Sequence, residues 1–236
     1  MTGNKGSSIG SAIVGGLIGS ALTAAVLIYA APQFWSSRIV RQGMLKDPKI
    51  LMEAADALRD QQYAPTLNSA RALIETPFAS SWKGADKPAV VLVEFYDYAC
   101  PYCKASNPHV DRLLKENPDL RVVYRELPIL GPDSVVSARL SLAASKAGKF
   151  RQFHDALYAT GRPAPETNAV AARVANISPV PEKDVAIEAE LKKNFSLASQ
   201  LGATGTPLFV IGDRVLSGAV GYDALKNAVE AARKKA

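Results

Sequence analysis

The sequence predicts an α/β domain with a block of helices inserted between its strands, preceded by an N-terminal membrane helix and a helical stalk. Three observations support this fold class. A Val-rich run at 89–96 leads into an amphipathic stretch, two short apolar runs near the C-terminus flank a Gly-Asp turn, and residues 9–31 carry no charge. Because about 20 apolar residues suffice to cross a bilayer as a helix, the uncharged stretch is long enough for an anchor.

The predicted domain limits follow from these patterns. Residues 1–31 form an anchor or signal segment, 32–75 form a helical stalk and linker, and 76–236 form the α/β domain, with the inserted helices at 128–201. The chain has 236 residues, of which 48% are hydrophobic, so it can bury a core of ordinary size.

The net charge is +6, from 28 Lys and Arg against 22 Asp and Glu. The excess is spread thinly along the chain, with only a small run at 233–235. A nucleic-acid-binding domain clusters its basic residues on one face, so this distribution argues against nucleic acid as a partner.

The N-terminal segment favours an uncleaved anchor over a cleaved signal peptide. A signal peptide has a shorter apolar stretch, about 7–15 residues, and ends in a small-x-small site, whereas Ile28-Tyr29-Ala30-Ala31 is a poor one. The positive-inside rule alone would place the domain in the cytoplasm, because Lys5 precedes the segment and more basic residues follow it. Those residues are Arg38, Arg41, Lys46 and Lys49. We give the chemistry of the cysteine pair more weight than this count of basic residues.

The stalk follows a short break at Pro32–Ser37 and has an apolar pattern at helical spacing. Asp47 can cap a helix, and Pro48 fits the first turn of that helix. An apolar stripe recurs at helical spacing along 40–62, formed by Val40, Met44, Leu51, Ala55 and Leu58. The stripe fits either a stalk through which copies of the chain associate or a helix that packs on its own domain. Residues 63–88 are predicted to be a connector, with a short helix at 69–75 and an edge strand at 76–80.

The α/β domain begins with the run at 89–96, which indicates a strand buried on both faces. A helix is predicted at 104–116 and a second strand at 120–127. Four helical patterns follow, at 134–147, 149–158, 167–174 and 182–201. Residues 206–217 predict a hairpin around Gly212-Asp213, and a last helix starts at Tyr222.

The two cysteines of the chain, Cys100 and Cys103, are spaced C-x-x-C at the junction of the first strand and its helix. Near a strand–helix–strand unit this spacing is typical of a redox pair. The free N–H groups and the dipole of a helix N-terminus favour negative charge at Cys100, and the thiolate is the reactive species. Cys103, one turn later, can resolve the mixed disulfide. We therefore predict Cys100 as nucleophile and Cys103 as resolving thiol.

Three other uses of the pair are less favoured. A structural disulfide across so short a loop removes only about 2 kcal/mol of chain entropy. A zinc site needs two more ligands, and only His109 and His154 are available; His109 lies on another face of the helix, and His154 is expected to pack within a helix or lie at the surface. An inert pair of buried thiols is the third alternative. No metal and no cofactor are expected.

Residues 93–103, Val-Glu-Phe-Tyr-Asp-Tyr-Ala-Cys-Pro-Tyr-Cys, together with Gly-Thr-Pro at 205–207, resemble the DsbA-like branch of the thioredoxin superfamily. The resemblance covers 76–236 and implies a thioredoxin fold with an inserted helical domain. The stretch 46–54 is also similar to the stalk of suppressor-of-copper-sensitivity type relatives.

The resemblance implies roles for several residues. Pro207 matches the cis-proline that faces the disulfide and would hold the Thr206 backbone open to pair with an extended substrate peptide. Glu94 matches the buried acid of the family. In its apolar run the pKa of Glu94 should rise, and it would pass a proton to or from Cys103. By itself the sequence would also fit an ordinary strand-start proline and a solvent-facing glutamate.

Pro101 and Tyr102, the dipeptide between the cysteines, are expected to contact substrate together with Thr206. The best-known oxidases of the family carry His at the position of Tyr102, so strong oxidase character is in doubt. Pro-Tyr, with Thr before the cis-proline, is more similar to isomerase and reductase members.

Three functions therefore stay open. The first is the formation or isomerisation of disulfides in unfolded or misoxidised extracytoplasmic proteins. The second is a dedicated periplasmic reductase kept reduced by a membrane redox partner, and the third is a binding or chaperone module with incidental thiols. Because disulfides form outside the reducing cytosol, we expect the domain in the periplasm. It is attached to the inner membrane through 9–31, or soluble if that segment is cleaved.

Overall fold

The computed structural model describes residues 31–179 and 183–235. These residues fall into two compact units that divide after Ala57. Within the described ranges, no helix has both the length and the apolar character needed to cross a membrane. The predicted anchor at 9–31 lies, up to residue 30, outside the described residues.

The first unit contains helix α1 (Ala31–Lys46) and the start of helix α2 (Lys49–Glu75). The predicted break at Pro32–Ser37 is wrong, because α1 runs through it with Pro32 as its second residue. Asp47 acts as predicted: its Oδ1 accepts a hydrogen bond of 3.2 Å from the backbone N–H of Lys49 at the start of α2.

Helix α2 also extends through the predicted connector, passing Pro65 and ending at Glu75. A proline inside a helix costs about 3 kcal/mol. Here the turns that follow it bury Leu67, Ala70 and Ile74 in a core cluster of the second unit. Burial of a large apolar side chain stabilises by about 1.5–3 kcal/mol, so this packing offsets the proline. Residues 58–75 thus belong to the compact unit that carries the cysteines.

The second unit is built on a five-stranded sheet of order β1-β3-β2-β4-β5. The strands are β1 (Trp82–Gly84), β2 (Val90–Tyr96), β3 (Leu120–Glu126), β4 (Leu208–Ile211) and β5 (Arg214–Ser217). β2 and β3 are parallel and joined by helix α3 (Pro101–Glu116), whereas the other pairs are antiparallel. The predicted strand–helix–strand unit and C-terminal hairpin are both confirmed.

The predicted edge strand at 76–80 is wrong, because the edge strand is β1, which begins at Trp82. The side chains of the two serines that precede β1 bond to helix α4, which ends at Lys146. Ser80 Oγ donates to the carbonyl of Ser145, and Ser81 Oγ donates to the Ser145 hydroxyl, both at 2.8 Å.

In the described part of the chain, four helices lie between β3 and β4, where the sequence predicted a helical block. They are α4 (Pro132–Lys146), α5 (Phe150–Thr160), α6 (Pro165–Ala175) and α7 (Val185–Gln200). The last described helix is α8 (Gly221–Arg233), one residue earlier than the predicted start at Tyr222.

The side chains of β2 divide between two core clusters because successive residues of a strand point to opposite faces. Val93 and Phe95 join the cluster that includes Leu67 of α2. Leu92 and Tyr96 join the cluster that contains both cysteines. Glu94 lies between Leu92 and Tyr96 in this alternation, so it points to the same face as the cysteines.

A buried arginine of β3 fixes the C-terminal end of α2. The Arg125 side chain is 1% exposed, and its guanidinium donates to the carbonyls of Ile74 and Thr76, each at 2.8 Å. The same group bonds to Glu190 at 3.0 Å and to Asn194 at 2.8 Å on α7. Arg125 therefore ties α2 to the inserted helices.

We expect Arg125→Met to lower the free energy of unfolding by about 3 kcal/mol, because it leaves buried acceptors without a donor. The matched control is Arg139→Met, which breaks a half-exposed pair with Glu188. This control should cost less than about 1 kcal/mol. Urea unfolding measures both changes. Equal losses in the free energy of unfolding would show that the buried Arg125 stabilises the fold no more than the half-exposed Arg139 does.

Candidate functional site

The cysteine pair lies where β2 ends and α3 begins. Cys100 is the N-cap residue of α3, and its backbone N–H donates to the carbonyl of Asp97 at 3.0 Å. Pro101 follows as the first helical residue, where its missing N–H interrupts no helical bond. Cys100 therefore lies at the N-terminus of α3, and Cys103 lies within the first turn of the same helix.

Cys103 lies one helical turn deeper and is completely buried, whereas Cys100 is 4% exposed. Both are free thiols in the structure. Burial raises the pKa of the Cys103 thiol well above its usual range, the charge of Glu94 raises it further, and a hydrogen bond from the Asp97 backbone opposes the rise. Cys103 therefore stays protonated unless a neighbouring group accepts its proton.

The segment before β4 faces Cys100. The Thr206–Pro207 peptide bond is cis, and the Cys100 thiol donates to the carbonyl of Thr206 at an Sγ–O distance of 3.2 Å. Residues separated by more than a hundred positions in the chain thus meet at the sulfur of Cys100. This is the place that the resemblance assigned to Thr206 and Pro207; their part in substrate binding stays a prediction.

Glu94 is the buried acid on the face of the cysteines. It is 1% exposed, and neither carboxylate oxygen has a hydrogen-bond partner among the residues that the structure describes. Burial raises the pKa of Glu94 to about 8, while the positive charge of Lys83 lowers it and Asp111 raises it. The negative charge of Glu94 raises the pKa of Cys103, so the two side chains interact electrostatically. A carboxyl that titrates near neutral pH suits proton exchange with a buried thiol.

The dipeptide between the cysteines points outward. Pro101 is exposed, and 63% of the Tyr102 surface is open to solvent. Both side chains are therefore available to a second molecule, as their predicted role in substrate contact requires.

Sequence reasoning missed Asp97, which is 1% exposed. Its Oδ1 accepts from the N–H of Ala99 at 2.8 Å, and its Oδ2 accepts from the N–H groups of Ile129 and Leu130 at 2.8 and 2.9 Å. The signal available in the sequence was an acid two residues before Ala99, the spacing of an Asx turn.

A buried polar network next to the cysteines was also missed. The Tyr96 hydroxyl donates to Glu126 on the neighbouring strand. The Tyr98 hydroxyl lies 2.9 Å from that of Ser141 and 3.2 Å from Nδ1 of His154. His154 is 2% exposed, so it packs inside the domain and not at its surface, and burial holds its pKa well below the usual range.

Comparison with known proteins gives one family and several solved structures. Residues 91–230 match the DSBA-like thioredoxin domain family. Proteus mirabilis ScsC in a transitional conformation is 31% identical with a TM-score of 0.67, and the match covers 88% of this chain and 99% of that one. A thioredoxin-like oxidoreductase from Silicibacter pomeroyi is 36% identical with a TM-score of 0.65, over 70% of this chain and 98% of that one.

Among curated proteins, a similar segment occurs in the Na(+)/H(+) antiporter NhaA 1 of Salinispora arenicola. It is 37% identical over 79 residues, which make up 33% of this chain and 12% of the antiporter. The chain therefore spans only a small part of that relative.

Proposed function

Because this chain belongs to the DSBA-like thioredoxin domain family, we propose that it forms or isomerises disulfides in extracytoplasmic proteins through Cys100 and Cys103. Family members are thiol–disulfide oxidoreductases that act on such substrates. The observation that carries the proposal is the contact between the Cys100 thiol and the Thr206 carbonyl, with Cys103 buried beneath.

Cys100, Cys103 and Glu94 together account for the electrons and protons that the exchange moves. The Cys100 thiolate attacks a substrate disulfide, so the substrate S–S bond breaks, a mixed disulfide forms, and one substrate sulfur leaves as a thiolate that takes a proton. Cys103 then loses its proton to Glu94 and attacks the sulfur of Cys100. The Cys100–Cys103 disulfide forms, the second substrate sulfur leaves, and two electrons have passed to the substrate.

The reverse sequence oxidises a substrate dithiol, and release of the mixed disulfide by another substrate thiol isomerises it. Tyr102 in place of a histidine favours the isomerase over a strong oxidase. A dedicated reductase held reduced by a membrane partner is the competing role within the same chemistry, and a binding module without turnover is the competing role outside it.

We place the domain in the periplasm, where the family acts. The membrane anchor at 9–31 and the membrane redox partner stay part of this proposal. So does association of copies through the stalk, which is supported by exposed apolar side chains at Val40, Leu51 and Leu58. Sedimentation of the full chain at several concentrations tests that association.

The redox potential of the pair distinguishes the roles. We expect the purified full chain, equilibrated in glutathione buffers, to give a potential between those typical of thioredoxin and of a strong oxidase, about −270 and −120 mV. It should also restore activity to scrambled ribonuclease A. A potential at the thioredoxin end without isomerisation would favour the dedicated reductase. No exchange with either glutathione or ribonuclease would favour the binding module.

A further inference from the structure

The backbone of Cys100 is held from two sides. On the helix side, its carbonyl accepts the N–H of Lys104 at 3.1 Å. On the strand side, its N–H donates to the carbonyl of Asp97 at 3.0 Å and closes the turn 97–100. Cys103 lies within α3, whereas Cys100 is the N-cap residue and has an extended backbone, with φ −77° and ψ 118°. The position of the Cys100 sulfur therefore depends on this turn as well as on the helix.

The side chain of Asp97, which is 1% exposed, fixes the turn from inside the domain. Its Oδ1 accepts the N–H of Ala99 within the turn at 2.8 Å. Its Oδ2 accepts the N–H groups of Ile129 and Leu130, in the loop 127–131, at 2.8 and 2.9 Å. Hydrogen bonds to a carboxylate are roughly twice as strong as those between neutral groups. The carboxylate thus joins the turn to this loop.

The loop 127–131 is itself fixed at both of its ends. At its start, the N–H of Leu127 donates to the carbonyl of Tyr96 at 2.7 Å, which continues the pairing of β3 with β2. At its end, Gly131 is the N-cap residue of α4. The bonds of Asp97 to this loop therefore connect the cysteine turn to the sheet and to the first inserted helix.

We propose that Asp97 is a positioning residue that keeps Cys100 within reach of Cys103 and thereby sets the stability of the disulfide between them. The inference rests on the proposed thiol–disulfide exchange and concerns its intramolecular step. Holding two reacting groups in place raises their effective concentration, because little freedom of motion is then lost when they react. A looser turn lowers that concentration, so the resolving step slows and the Cys100–Cys103 disulfide becomes less stable.

Two variants of Asp97 separate geometry from charge. Asp97→Asn keeps the shape but replaces one acceptor oxygen by a donor NH2 group, so either Ala99 or the loop loses its acceptor. Asp97→Glu keeps the charge but adds a methylene group, so the carboxylate no longer fits all three N–H groups. If Asp97 acted only through its negative charge, Asp97→Asn would favour the Cys103 thiolate and speed the resolving step, and Asp97→Glu would have no effect.

We expect both variants to lower the equilibrium constant for forming the Cys100–Cys103 disulfide in glutathione buffers by about tenfold, which is a rise of about 30 mV in redox potential. Both should also slow the decay of the mixed disulfide with glutathione by about tenfold, measured on the full chain by acid quenching. The matched control is Asp184→Asn, because the Asp184 carboxylate also accepts backbone N–H groups, those of Ala186 and Ile187 at the start of α7. This control should change neither quantity.

Hydrogen exchange of the native chain tests the same arrangement without a substitution, so it decides even where a variant fails to fold. Because the carboxylate joins the turn to the loop, the amides of Ala99, Ile129 and Leu130 should become exposed in one opening event. Their protection factors should then agree within about threefold. An Ala99 amide that exchanges freely while the two loop amides stay protected would overturn the inference.

The variants can overturn it in three further ways. These are an unchanged or faster decay of the mixed disulfide in Asp97→Asn, an unchanged potential in Asp97→Glu, and equal losses in the Asp184→Asn control. Each of these results leaves the exchange activity of the native chain in place. A native chain that does not exchange with glutathione would instead refute the proposed function.

Discussion

Cys100→Ser is expected to abolish disulfide exchange, lowering kcat/KM by about a thousandfold or more, because it removes the attacking sulfur. Cys103→Ser is expected to leave the first attack intact and to accumulate a covalent adduct with substrate, since nothing then resolves the mixed disulfide. Non-reducing electrophoresis and peptide mass spectrometry measure both outcomes and locate the adduct at Cys100.

The control for this experiment is the double variant Cys100→Ser/Cys103→Ser, which should form no adduct. An adduct at Cys103 in the Cys100→Ser variant, at the rate of the native protein, would reverse the assigned roles. Turnover that survives both single substitutions would mean that the thiols are incidental.

Glu94→Gln is expected to stabilise the protein at alkaline pH. The pKa of Glu94 is raised from 4.5 to about 8 by burial. Between those values the folded state holds a proton that the unfolded state has lost, so stability falls as pH rises through this window. The shift corresponds to about 4–5 kcal/mol. Relative to the native protein, the variant should therefore gain most of that amount between pH 5 and pH 9, measured by urea unfolding.

Glu116 provides the control, because its pKa is lowered whereas that of Glu94 is raised. A hydrogen bond from Tyr222 lowers the pKa of the exposed Glu116, so its stabilising contribution is lost only as pH falls. Glu116→Gln should give no gain in stability at alkaline pH. If Glu94→Gln behaves in the same way, burial does not raise the pKa of Glu94, and its carboxylate is too weak a base to take the proton of Cys103.

The same substitution should slow the resolving step by about a hundredfold, because a proton acceptor for Cys103 is lost. The decay of the mixed disulfide, followed by acid quenching, measures this rate separately from the first attack on substrate. An unchanged decay rate would assign the proton to another acceptor.

The core of the fold and the location of the cysteines could be predicted because both depend on local patterns. The apolar run at 89–96 can only be a buried strand or a buried helix, and its valines favour the strand. The limits of α1 and α2 could not be predicted, because Pro32 and Pro65 suggest breaks. The burial of Leu67 and Ile74 that offsets Pro65 depends on distant elements.

The sequence could predict those site residues whose side-chain chemistry is distinctive. It could not predict a side chain whose hydrogen-bond partners are backbone groups. Cys100, Cys103 and the Thr206–Pro207 pair have recognisable identities. Asp97 binds amide N–H groups 32 and 33 positions away, and every residue except proline has such a group. Nothing in the local sequence therefore marks that pairing. The burial of His154 likewise depends on rings contributed by other elements.

The proposed disulfide exchange requires that the sulfur of Cys100 meets other molecules while Cys103 is shielded below it. Brief alkylation of the reduced full chain with limiting iodoacetamide, followed by peptide mapping, measures this directly. We expect the label on Cys100, with Cys103 reacting about a hundredfold more slowly because it is buried and protonated. Equal labelling of the two cysteines, or labelling of Cys103 first, would contradict the assignment of Cys100 as the attacking sulfur.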